Sequence, residues 1–193
     1  MQTFIYMVRH GDSPKEGNER TRGLTENGYI DAQRVTAIVA DEGIDVVVSS
    51  PYTRAILTVN EIAKQINQDV LVYEDLKERR FSADDNRVGD KELIPLLETS
   101  FNDASYALEG GESNADCQKR AVNVLLELLD KFQGKKVVIG THGAVMTLML
   151  GYFDSCYGLD FLHSTSKPDI YKMEFMGREL VNVQRMWDIE ADN

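Results

Sequence analysis

The chain has 193 residues, 42% of them hydrophobic and 27% charged, a size and balance that suit one soluble domain with a real core. A formal net charge of -11 argues against nucleic acid or an anionic membrane as partner. Two cysteines, no apolar N-terminal leader and no run near the length of a membrane span point to a reduced, cytoplasmic setting, compatible with a homodimer.

Thr3 to Val8 is a short, nearly continuous apolar run, the pattern of a strand buried on both faces. Thr25 is placed to cap a helix whose apolar residues Tyr29, Ala32, Val35 and Val39 recur at helical spacing, and Gly43 stops it. Asp45 to Val48 predicts a second buried strand. Ser50 then caps a helix with Pro51 in its first position, carrying Ile56, Val59, Ile62, Ala63 and Ile66 on one face. Val70 to Tyr73 predicts a third strand. From about 76 to 112 the pattern weakens into a polar, charged stretch with one apolar cluster at Leu93, Ile94, Leu96 and Leu97, expected to form a small cap. Ser113 and Asp116 resemble a capping box before an amphipathic helix running from Cys117 to Phe132. Val137 to Ile139 is another strand, with a helix from about Gly143 to Leu150. Ile170 to Phe175 and Leu180 to Gln184 make a closing pair of strands. Alternating strands and helices predict a single α/β domain over 1–193, a three-layer α/β/α sandwich with a largely parallel sheet.

Three chemical signals fall at the carboxyl ends of strands, where open α/β sheets bind ligands. They are Arg9-His10-Gly11, the Ser49-Ser50-Pro51 turn with Arg54 on the following helix, and Thr141-His142-Gly143. A phosphate monoester needs fixed cations, and the guanidinium forks of Arg9 and Arg54 match its oxygens. It needs a nucleophile in line with the leaving oxygen, and His10 can serve as a neutral imidazole beside Arg9. His142 can donate to an equatorial oxygen, and Gly143 lets backbone and ligand approach closely. The leaving alkoxide needs a proton, for which Glu78 stands directly after the third strand, in competition with Asp84, Asp85 and Glu112. Arg79 and Arg80 read as a solvated charge cluster, with substrate contact as the alternative, and His163 as structural. A bound metal is disfavoured, because a dication would be repelled by Arg9 and Arg54 and no metal-ligand spacing is present.

Taken in order, Val8-Arg9-His10-Gly11, Leu24-Thr25-Glu26-Asn27-Gly28, Ser49-Ser50-Pro51 with Arg54, Leu76-Lys77-Glu78-Arg79, Gly111-Glu112-Ser113 and Thr141-His142-Gly143 resemble the histidine phosphatase (phosphoglycerate mutase-like) superfamily. The resemblance spans nearly the whole chain. It implies His10 as the phosphorylated nucleophile, Arg9, Arg54 and His142 as the phosphate pocket, Glu78 as proton donor, and neither metal nor organic cofactor. The loop after His10 is short and lacks Trp-Asn and Gly-Trp elements, and the cap lacks the longer insertion of the mutases. The resemblance therefore implies hydrolysis of a small phosphorylated metabolite or a phosphoprotein. Mutase-type transfer and a non-catalytic phospho-ligand module are the alternatives.

Overall fold

The computed structural model describes residues 1–83 and 88–188. Six strands form one sheet: β1 (Gln2–Arg9), β2 (Val46–Ser49), β3 (Leu71–Val72), β4 (Lys136–Thr141), β5 (Asp169–Met176) and β6 (Glu179–Arg185), in the order β3-β2-β4-β1-β5-β6. The first four run parallel to one another, and the β5–β6 hairpin continues the sheet in antiparallel sense beside β1. Helices α1 (Glu26–Val39) and α2 (Thr53–Gln65) pack together on one face, and α4 (Asn114–Lys131) and α5 (Gly143–Phe153) on the other. This is the expected α/β/α sandwich. Successive strand residues point to opposite faces, so Ile5 and Met7 join the core under α4 and α5, while Tyr6 and Val8 join that under α1 and α2. Two short helices, α3 (Asp90–Asn102) and α6 (Leu159–Ser164), complete the chain.

The helix starts follow capping chemistry. Thr25 accepts from the Gly28 N–H, and Ser113 accepts from the Asp116 N–H while donating to its carboxylate, as the sequence predicts. Gly43 ends the α1 segment with φ +69°. Ser50 is not the cap of α2. The helix begins at Thr53 with Tyr52 at the cap position, and the Ser50 hydroxyl instead meets His142. Tyr29 is half exposed rather than part of the α1 core face. The third strand forms within the expected Val70 to Tyr73, but it is only two residues long and lies exposed at the sheet edge. Asp84 and Asp85 lie outside the described residues. Among the described residues, no helix is long and apolar enough to cross a membrane.

Candidate active site

Strand register alone brings the two histidine turns together. β1 and β4 are adjacent and parallel, with Arg9 opposite Thr141, so the next residues, His10 and His142, leave the sheet side by side. The His10 N–H donates to the Thr141 carbonyl at 3.0 Å, and the two imidazoles meet edge-on with centroids 5.2 Å apart. β2 flanks β4 on the other side with Ser49 opposite Gly140, which sets Ser50 beside His142. Its Oγ lies 2.7 Å from His142 Nε2 and accepts from the Tyr52 N–H.

The tautomer of His10 follows from its partners. Arg54 Nε carries a hydrogen at any ordinary pH, so its contact with His10 Nε2 at 3.1 Å makes that nitrogen the acceptor. Nδ1 therefore holds the proton and donates it to the Gly11 carbonyl at 2.7 Å. Burial, then Arg54, holds the His10 pKa well below its usual 6.5, with Arg9 and Lys167 adding to the effect. His142 is also held low, first by burial and then by Arg54 and His10. Both imidazoles are neutral, and His142 Nδ1 is buried with no partner among the described residues.

Arg54 is almost completely buried. One turn later Thr58 Oγ1 donates to the Arg54 carbonyl and accepts from the Gly11 N–H, tying α2 to the histidine turn. Arg54 also donates to the Glu19 carbonyl and to Glu19 Oε2 at 2.7 Å, and Arg22 grips the same carboxylate at 3.0 Å. Arg9 donates to the carbonyl and Oγ1 of Thr165. That loop is anchored by buried Asp169, which accepts from the Ser166 N–H and from Arg185. A Cβ on Gly143 would lie 2.8 Å from Arg9 Cζ, so glycine there is what lets the guanidinium rest on the backbone.

Glu78 caps the N-terminus of α5. It accepts from the Val145 and Ala144 N–H groups at 3.0 and 3.2 Å, and from the Arg79 N–H at 2.9 Å. Its backbone is clasped by Arg120, which donates to the carbonyls of Asp75, Lys77 and Glu78 while paired with both oxygens of Glu112. Glu112 is thus committed to structure, whereas Glu78 lines the cavity, as does Glu19, whose carboxylate is held by Arg54 and Arg22.

The five sequence-predicted site residues Arg9, His10, Arg54, Glu78 and His142 therefore converge with Gly143. All but His142 and Gly143 line one cavity of about 310 Å³, and His142 lies behind it against the Tyr52 ring, centroids 5.0 Å apart. The sequence reading did not assign Glu19, Arg22, Ser50, Thr58 or Thr165. Two readings also need correcting. His163 lines the cavity mouth, brought there by α6, and Arg79 is 2% exposed, not part of a solvated cluster. Four charges in a row, Lys77 to Arg80, look like surface, but the Arg79 side chain turns inward to meet the Glu112 carbonyl. Among the described residues no group of three His, Cys, Asp or Glu side chains is arranged to hold a metal ion.

Two buried histidines just past parallel strands, with Arg9, Arg54 and a carboxylate beside them, make a cluster of donors and positive charge suited to an anionic oxygen group. The profile of the histidine phosphatase superfamily (branch 1) matches residues 5–179, and the chain belongs to that superfamily. It is 26% identical over 153 residues to the uncharacterized phosphatase PhoE of Bacillus subtilis, covering 77% of this chain and 76% of that protein. It is 28% identical to phosphoglycerate mutase-like protein 4 of Arabidopsis thaliana, over 95% of this chain and 80% of the relative. In fold it matches the phosphoserine phosphatase of Entamoeba histolytica solved with 3-phosphoglyceric acid. The TM-score is 0.79 at 22% identity, over 97% of this chain and 98% of the other.

Proposed function

We propose that the protein is a metal-independent phosphomonoesterase that works through a covalent phosphohistidine on His10. The observation that carries this reading is the forced tautomer: Nδ1 is committed to Gly11, so the ring's one lone pair is on Nε2, under Arg54 Nε, in a residue that lines the cavity. A phosphate dianion would be gripped by Arg9 and Arg54. His142 Nδ1 has no partner among the described residues, and Ser50 Oγ can give its hydrogen to His142 Nε2, so that Nδ1–H points to a phosphoryl oxygen. As Arg54 turns its donors to phosphate, Nε2 is uncovered.

Nε2 then attacks phosphorus, the P–O bond to the leaving group breaks, and Glu78 gives its proton to the departing oxygen. In the second step water attacks phosphorus and passes a proton back to Glu78, and the P–Nε2 bond breaks to return neutral His10 and free phosphate. Phe81, Ser82, Val88, Leu93 and Leu97, which line the cavity, act as the cap over the leaving group. Glu78 lines the same cavity as His10, which supports its serving both halves of the reaction.

Rapid quench of a phosphomonoester reaction should trap an acid-labile phosphoenzyme, formed in chelator as well as in its absence. His10→Ala should abolish the trapped species and lower turnover by roughly a thousandfold or more. Undiminished turnover in that variant would sink the reading.

A further inference from the structure

Tyr52 lines the cavity with His10, Arg54 and Glu78, and its ring touches two of the groups that would grip phosphate. The ring meets the His142 imidazole edge-on, with centroids 5.0 Å apart and planes inclined by 68°. Arg54 Cζ lies over the same ring, 5.0 Å from its centroid. The Tyr52 N–H donates to Ser50 Oγ, which lies 2.7 Å from His142 Nε2. That N–H occupies a lone pair of the serine and leaves its hydrogen for the imidazole. One residue therefore acts on His142 twice, its backbone on the tautomer and its ring on the plane. The ring also shields an imidazole that is kept neutral first by burial, then by Arg54, His10, Arg22 and Arg120. For Arg54 the ring is a partner that consumes no N–H donor, so the guanidinium can exchange Glu19 for phosphate without losing it. No hydrogen bond ties the phenol hydroxyl to another described residue, so the ring carries these contacts.

We propose that Tyr52 is a positioning residue for phosphoryl transfer: its ring holds His142 and Arg54 in the attitude that receives the phosphoryl oxygens, and its hydroxyl is dispensable. This rests on the phosphomonoesterase reading, so the test has a turnover arm and an arm that needs no substrate. Tyr52→Phe keeps the ring and should retain kcat/KM within about twofold, whereas Tyr52→Leu keeps apolar bulk without a π face and should lose about tenfold, the scale of one desolvated cation–π contact with an aromatic pair. The loss should be equal for p-nitrophenyl phosphate and glycerol 3-phosphate, because the leaving-group end is untouched. Inhibition by vanadate, which occupies the phosphoryl site alone, should weaken by a similar factor in Tyr52→Leu. A Phe variant as poor as Leu, a Leu variant equal to wild type, or a loss confined to the alkyl ester overturns the proposal. In the second arm, imidazole nitrogen NMR of the free protein reads His142 directly. In wild type and Tyr52→Phe it should be a single neutral tautomer with the proton on Nδ1 at about pH 6. In Tyr52→Ala, where water reaches the ring, both tautomers should appear and the group should titrate toward its usual range. An unchanged His142 spectrum in Tyr52→Ala overturns the positioning role. The expected spectral change in an enzyme that turns over no phosphoester overturns only the phosphomonoesterase reading.

Discussion

The two ends of the cavity are built by different means. At the phosphate end His10, His142 and Ser50 sit one residue beyond three adjacent parallel strands, so backbone hydrogen bonds of the sheet set their spacing. At the leaving-group end Glu78, Arg79 and Phe81 come from a loop, held by side-chain contacts to the Arg120–Glu112 pair and the α5 N-terminus. A sheet end fixes geometry that every phosphoester shares. A loop clasped by an ion pair can vary without disturbing it, which is where specificity belongs.

Variants at each end should separate these roles. The largest effect expected is for Glu78→Gln, a loss of about 10²–10⁴-fold in kcat for alkyl phosphates, typical of a general acid. The loss should shrink sharply for p-nitrophenyl phosphate, whose leaving group needs no proton. A loss of equal size on both would move Glu78 out of the acid role. His142→Asn, by contrast, should cost about 10²-fold on every substrate regardless of leaving group, the scale of one donor to developing charge. A leaving-group dependence measured for that variant would break the contrast between the ends.

The pH dependence tests the phosphate end by itself. Both histidines are neutral in the fold because their pKa values lie well below 6.5, whereas in the unfolded chain they titrate near 6.5. The unfolded state therefore binds more protons below that pH, and stability should fall as pH drops through about 6.5 toward the folded values. Thermal melts from pH 8 to 5 should show this decline, and a His10→Gln, His142→Gln double variant should flatten it. The smallest effect expected is for Glu19→Gln. Without the carboxylate that Arg54 and Arg22 share, inorganic phosphate should inhibit a few-fold more tightly, since charge-assisted pairs are worth about 1.5–3 kcal/mol gross and solvent offsets much of that. Weaker phosphate inhibition would show that Glu19 shapes the pocket rather than competing for it.

Legibility in the sequence follows the same division. The sandwich and its strands could be read because buried parallel strands are written as short apolar runs, and His10 and His142 stand directly at their ends. Arg54 was readable from its place on the first turn of α2. Glu78 needed the family resemblance to stand out from Glu112, because what separates them is the pairing of Glu112 with Arg120 eight residues away on α4. The inward turn of Arg79, the approach of His163 by way of α6, and the grip of Glu19 on Arg54 depend on how irregular segments fold back over the sheet. No periodicity records that. Ser50 was misread for a related reason. A serine before Pro51 fits a cap, but its hydroxyl has a better use 2.7 Å from an imidazole.

The hydrogen bond from the His10 amide to Thr141 has a consequence for how this molecule opens. It extends the ladder between β1 and β4, the central pair of the sheet, so exposing that amide means tearing the sheet apart. Its exchange with deuterated solvent should track global unfolding. Helix α3, which buries little beyond Leu96, Leu97 and Ser100, should exchange through cheaper local excursions. The α3 wall of the cavity can thus breathe while His10 keeps its place.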